Sequence, residues 1–191
     1  MLLIGLLSLV ASSLGATAGQ PLGEFRTFEE MKGGAGPQGI ALAPDGTMWF
    51  TDRSANKIGR ITTTGEITQF AVPTAVSVPF GIALGPDGAM WFTQLWGNKI
   101  GRISPAGEVT EFRVPTAGSA PRGIAAGPDG AMWFAEWGGH KIGRIAMDGT
   151  ITEYDVPTAG AAPQGIAAGP DGAMWFTEHA TSRIVSIGTG Q

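Results

Sequence analysis

The sequence predicts an all-β chain folded as a β-propeller of four blades, and three regularities carry that prediction. Trp49-Phe50, Trp91-Phe92, Trp133-Phe134 and Trp175-Phe176 recur every 42 residues. Pro37, Pro79, Pro121 and Pro163 open a P-x-G-I segment in every copy, and Asp45-Gly46, Asp87-Gly88, Asp129-Gly130 and Asp171-Gly172 follow at a fixed offset. A period near 42 residues with strand-type content corresponds to one four-stranded blade per copy. No stretch spaces its apolar residues helically over a useful length.

Each element follows from local chemistry, with the third copy as example. Gly123-Ile124-Ala125-Ala126 is a short apolar run ended by Gly127-Pro128-Asp129-Gly130, where proline presets φ and glycine accepts positive φ. Ala131 to Ala135 is apolar without alternation, as expected of a strand covered on both faces by neighbouring blades. Gly138-Gly139 breaks it. Lys141 to Ile145 alternates, Asp148-Gly149 turns the chain, and Thr150 to Val156 alternates again before Pro157, giving wetter third and fourth strands nearer the rim.

The ends suggest how such a ring closes. Gly23-Glu24 precedes Pro37 by the offset at which Gly65-Glu66 precedes Pro79, so Glu24 to Phe28 reads as a fourth strand lacking its first three. Copy four stops at Gln191, before its own fourth strand. The expectation is that residues 24–28 pair with Arg183 to Ile187 and close the ring, removing exposed strand edges. The layout is then a leader at 1–18 and a single propeller domain at 19–191, with repeats starting near 37, 79, 121 and 163.

Composition agrees with one compact domain: 43% hydrophobic and 15% charged residues are near globular averages, and the 31 Gly and 13 Pro fall largely in the repeated turns. A net charge of −4 with Lys and Arg spread through the repeats disfavours a nucleic-acid partner. Lys57, Lys99 and Lys141, like Arg60, Arg102 and Arg144, are expected at solvated outer positions. Leu2 to Ala11 is an apolar run followed by Ala16-Thr17-Ala18, an A-x-A cleavage pattern, although no Lys or Arg precedes it. Too short to span a bilayer of about 20 apolar residues, it predicts export, with the protein secreted or periplasmic and no membrane contact beyond this segment. The absence of cysteine excludes disulfides and thiol chemistry.

The blade motifs carry a resemblance. G-I-A-x-G-P-D-G-A-M-W-F-T-E, N/H-K-I-G-R-I, G-x-I/V-T-E-F/Y and V-P-T-A, in fixed order across Gly81 to Ala117, Gly123 to Ala159 and Gly165 to Glu178, resemble the virginiamycin B lyase (streptogramin B lyase) family. The resemblance implies a propeller enzyme, a carbon-oxygen lyase that opens cyclic depsipeptide antibiotics at their ester by magnesium-assisted elimination and so inactivates them. Most members have more than four blades. In the family a histidine directly follows the proline of P-x-G-I and is often preceded by a metal-binding glutamate. Here Gln38, Phe80, Arg122 and Gln164 follow the proline, and Gly36, Val78, Ala120 and Ala162 precede it.

Strand order locates the candidate site. Because strands one and two are antiparallel about the Asp-Gly turn, the residue after proline and the one ending strand two are expected side by side at an axial mouth. The first set, Gln38, Phe80, Arg122 and Gln164, is expected to bind substrate together with Trp96 and Trp137 from the loops joining strands two and three. The second set is Asp52, Gln94, Glu136 and Glu178, of which Glu136 and Glu178 are the expected ligands of a hard magnesium ion. Elimination also needs a base within hydrogen-bond reach, and His179 or His140 would supply it from a loop. A small cyclic peptide suits such a mouth. Simpler roles compete: the repeated tryptophans read as interblade core, His140 occupies the slot of Asn56, Asn98 and Ser182 and reads as a turn residue, and His179 points away from Glu178 if the strand continues. The competing function is a noncatalytic propeller that binds a peptide, glycan or protein, as a monomer or an edge-paired dimer.

Overall fold

The computed structural model describes residues 22–28 and 36–190. The leader expected at 1–18 lies outside them. Strands and turns make up the described residues, and no helix among them is long and apolar enough to cross a membrane.

Blade one is a sheet of β1 (Pro37–Leu42), β2 (Met48–Asp52), β3 (Lys57–Ile61) and β4 (Ile67–Ala71) in that order. Blade two follows with β5 (Pro79–Leu84), β6 (Met90–Gln94), β7 (Lys99–Ile103) and β8 (Val109–Arg113). Blade three holds β9 (Pro121–Ala126), β10 (Met132–Glu136), β11 (Lys141–Ile145) and β12 (Ile151–Asp155). Blade four has three strands, β13 (Pro163–Ala168), β14 (Ala173–Glu178) and β15 (Arg183–Gly188). All pairings are antiparallel meanders, as the short turns require.

Successive blades are joined at their first strands. A side chain at Gly39, Gly81 or Gly123 would collide with the carbonyl of Phe80, Arg122 or Gln164 on the next blade, which is why P-x-G keeps its glycine. Thr51 Oγ1 donates to the Phe80 carbonyl at 2.7 Å while accepting from Gly39 N–H, and Thr93 does the same between Arg122 and Gly81. Side chains fill the wedge between sheets. Trp91 and Ile100 of blade two meet Ile124, Met132, Phe134 and Ile145 of blade three, and the same positions recur at the other two joints. Trp49, Trp91 and Trp133 stack on Phe70, Phe112 and Tyr154 with centroids 5.6 Å apart.

Three expectations need correction. Residues 24–28 form no strand and do not lie on β15: Arg26 donates to the Thr63 carbonyl and Phe28 packs against Gly65, both beside β4. The four sheets therefore form an arc that does not close among the described residues. Trp175 is 42% exposed, because no blade of the described residues covers its far side. Nor are the repeated cations of the inner blades simply solvated: Arg102 and Arg144 pair with Asp87 and Asp129 at 2.6 Å, and Lys99 pairs with Glu111 at 2.7 Å. Each Asp-Gly turn of these two blades also holds its tryptophan, since Asp87 and Asp129 accept the indole N–H of Trp91 and Trp133. The paired arginine and indole donors hold both aspartates below the usual carboxylate range against the opposing effect of burial.

Candidate functional site

A bulge builds the face on which the site lies. In each blade the pairing of strands one and two skips the two residues after proline, so Pro121 pairs with Glu136 and the regular ladder resumes at Ile124 with Phe134. Bulges re-aim side chains, and here the residue after proline is turned toward its counterparts on the neighbouring blades. Arg122 Nη1 donates to Gln164 Oε1 at 3.2 Å, and its guanidinium lies 5.8 Å from the Phe80 ring centroid. Three blades thus contribute to one patch. Trp137 completes it, with its ring 4.3 Å from the same guanidinium, a cation over a π face.

The loops between strands two and three lie on the same rim. Trp96 N–H donates to the Ser77 carbonyl and His179 N–H to that of Ala162, both just before a strand-one proline. Trp96 projects into solvent, and Trp137 is partly exposed. Burial pulls the Arg122 guanidinium below its ordinary value, and its Nε is buried without a hydrogen-bond partner. The patch therefore offers aromatic faces, a cation and an amide, suited to a flat amphipathic ligand rich in carbonyl groups. Gln38, on the end blade, is exposed.

The residues ending strand two have a different environment. Asp52, Gln94, Glu136 and Glu178 are all buried within their own blades. Asp52 accepts Gly36 N–H and Ala55 N–H through one oxygen and faces the Gln69 amide with the other. Gln94 donates to Glu111 at 3.0 Å, and Glu178 accepts from Thr181 at 2.5 Å. Neither oxygen of Glu136 has a hydrogen-bond partner, and burial together with the charge of Glu153 pushes its carboxyl up to about 8. Lys141 opposes that rise.

These partners went unrecognised in the sequence. Glu111 and Glu153 appear there as rim residues of an alternating strand, yet each reaches across a joint to hold a threonine, Thr74 and Thr116, by both its N–H and its hydroxyl. A signal was present: Glu111 and Glu153 repeat at one register position and Gln69 stands at the same place in blade one.

His140 sits at φ +54, beside Asn56, Asn98 and Ser182 at +57, +53 and +55, and its Nδ1 accepts Ala162 N–H at 3.1 Å. Asn56 and Asn98 accept from Ser77 and Ser119 in the same way. The imidazole is thus committed to a turn in which Asn is the usual choice. His179 is exposed. For magnesium, no group of three or more His, Asp or Glu side chains converges among the described residues, and Glu136 and Glu178 belong to separate blades.

Comparison with known proteins is consistent with this picture. A catalytically inactive histidine-to-alanine variant of virginiamycin B lyase from Staphylococcus aureus, with quinupristin, is 45% identical to this chain, with a TM-score of 0.79 over 81% of it and 53% of the lyase. A streptogramin B lyase structure is 39% identical over 86% of this chain and 58% of that one, with a TM-score of 0.78. A virginiamycin B lyase of Bordetella pertussis is 49% identical over 37 residues, 19% of this chain and 12% of the relative. The chain spans little more than half the length of the solved lyases. A putative gluconolactonase and a gluconolactonase from Xanthomonas campestris align at 20% and 16% identity and share the fold alone. The virginiamycin B lyase family pattern matches residues 13–191, and the chain belongs to the virginiamycin B lyase family.

Proposed function

We propose that this protein binds a streptogramin B type cyclic depsipeptide on the patch formed by Phe80, Arg122, Gln164, Trp96 and Trp137. The observation that carries this reading is the convergence of Arg122 on Gln164, Phe80 and Trp137 from three blades, in a family whose solved relative is described with quinupristin. Aromatic faces suit the apolar side chains of such a ring, and the Arg122 donors suit its ester and amide carbonyls. Export, supported by the apolar run at 2–11 of the leader at 1–18, would place the protein where it meets such a ligand. The corresponding reaction is carbon-oxygen elimination assisted by magnesium. One observation favours a binding role without turnover: no histidine follows a proline in these four blades, and His140 is held in a turn.

Incubation of the purified chain with quinupristin, with and without magnesium, separates the readings. Elimination yields a linear isomer of unchanged mass, whereas hydrolysis adds one water, so chromatography with mass detection identifies each. Saturable binding that Arg122→Ala weakens about tenfold, worth about 1.4 kcal/mol, supports the patch. A magnesium-dependent linear isomer supports the lyase, binding alone supports the noncatalytic module, and absence of binding removes both. Gln164→His restores an imidazole after proline, and it is expected to raise turnover if the patch holds the ester.

A further inference from the structure

We propose that Val76 and Trp96 form an apolar wall on the blade-two side of the patch, where they take an aromatic side chain of the ligand and so set which cyclic depsipeptides are accepted. The inference rests on the binding reading given above. Blade two departs from its neighbours at two positions. In the connection that enters it, Val76 stands where the connections entering blades three and four have Gly118 and Gly160, and in its own rim loop Trp96 stands where blade three has Gly138 and blade four Ala180. The glycines have a physical reason. Gly118 and Gly160 sit at φ +66 and +68, and a Cβ at Gly138 would lie 2.5 Å from the Gly118 carbonyl oxygen, so in blade three the two glycines face each other across the rim.

Blade two keeps the same backbone without the glycines. Trp96 and Gly97 N–H donate to the Ser77 carbonyl as Gly138 and Gly139 donate to that of Ser119. Ser77 donates its N–H and its hydroxyl to Asn56 Oδ1, as Ser119 does to Asn98. Val76 is thereby held at φ +52, a left-handed conformation that a β-branched residue strongly disfavours. Packing does not offset this strain, because Val76 and Trp96 are 67% and 70% exposed and fill no core among the described residues. A strained position imposed by its surroundings, carrying an apolar side chain into solvent beside a second one, marks a surface built for contact. The patch is polarised as a result. Arg122 and Gln164 present donors to carbonyl groups from blades three and four, while Val76, Phe80 and Trp96 present apolar faces from the blade-two side. An indole in that position stacks on an aromatic side chain.

Val76→Gly combined with Trp96→Gly copies the loop pair of blade three into blade two. By titration calorimetry the double variant is expected to bind quinupristin about tenfold more weakly than wild type. Its heat-capacity change of binding is expected to be less negative, because less apolar surface is buried. It is expected to melt no lower than wild type, since the strain at residue 76 is relieved. Trp96→Phe keeps a ring and is expected to hold affinity within about threefold, whereas Trp96→Ala at this exposed position is expected to lose about fivefold. Wild-type affinity in the double variant or in Trp96→Ala, while Arg122→Ala still weakens binding, overturns the wall and leaves the binding reading standing. A double variant that melts well below wild type gives the pair a structural role and also overturns the wall. A wild type that does not bind quinupristin overturns both.

Discussion

Blades two and three differ from blades one and four in what covers them, although all four have nearly the same sequence. Trp91 and Trp133 are buried between sheets and stack on a ring of their own fourth strand, whereas Trp175, in the same sequence context, is 42% exposed. Strand β10 is buried along its whole length, while its counterpart β14 alternates between buried and exposed. A repeat thus acquires its core from its neighbours. The identity of a residue sets what it can bury, and its place in the array sets what it does bury.

The largest effect expected from this contrast is at the tryptophans. Trp133→Ala should destabilise by about 3–5 kcal/mol, the usual cost of emptying a large aromatic site. Trp175→Ala should cost under about 1.5 kcal/mol, since less apolar area leaves contact. Denaturant melts of both variants check this, and equal losses would break the comparison.

A second test concerns the inner blades alone. Blade two pairs Gln94 with Glu111, whereas blade three sets Glu136 against Glu153. Between the ordinary value of 4.5 and about 8 the folded chain retains a proton on Glu136 that the unfolded chain has released. The stability contributed by this site therefore falls as pH rises through that window and levels off above it. Glu136→Gln should recreate the blade-two hydrogen bond and stabilise the protein, by up to about 1.4 kcal/mol for each pH unit within the window. Thermal melts from pH 5 to 8 that run parallel for wild type and variant would refute it.

Smaller effects should follow the same division. Thr93→Val removes a buried donor to the Arg122 carbonyl and should cost about 1–2 kcal/mol, while Thr177→Val should change stability by under about 0.5 kcal/mol. His140→Asn, which copies Asn56 and Asn98, should also stay within about 0.5 kcal/mol of wild type. A large loss at His140 would give the imidazole a role beyond its turn.

Much of this architecture was legible in the amino-acid sequence. The 42-residue period, the Asp-Gly turns and the uniformly apolar second strand specify the blade, its strand boundaries and the first-strand face on which Phe80, Arg122 and Gln164 meet, because turn chemistry and apolar patterning act over short range. The slot shared by His140 with two asparagines likewise revealed a turn residue. Other features depend on the assembled arc. Only the tertiary structure placed Glu24 to Phe28 beside blade one instead of blade four, because the repeat offset defines a strand's register and leaves open which sheet receives it. Only packing turned Glu136 inward against Glu153, and only the position of blade four at the end of the arc left Trp175 exposed. Burial, charge proximity and edge exposure arise from residues distant in sequence, so a local pattern names the repeat and the three-dimensional array decides what each copy becomes.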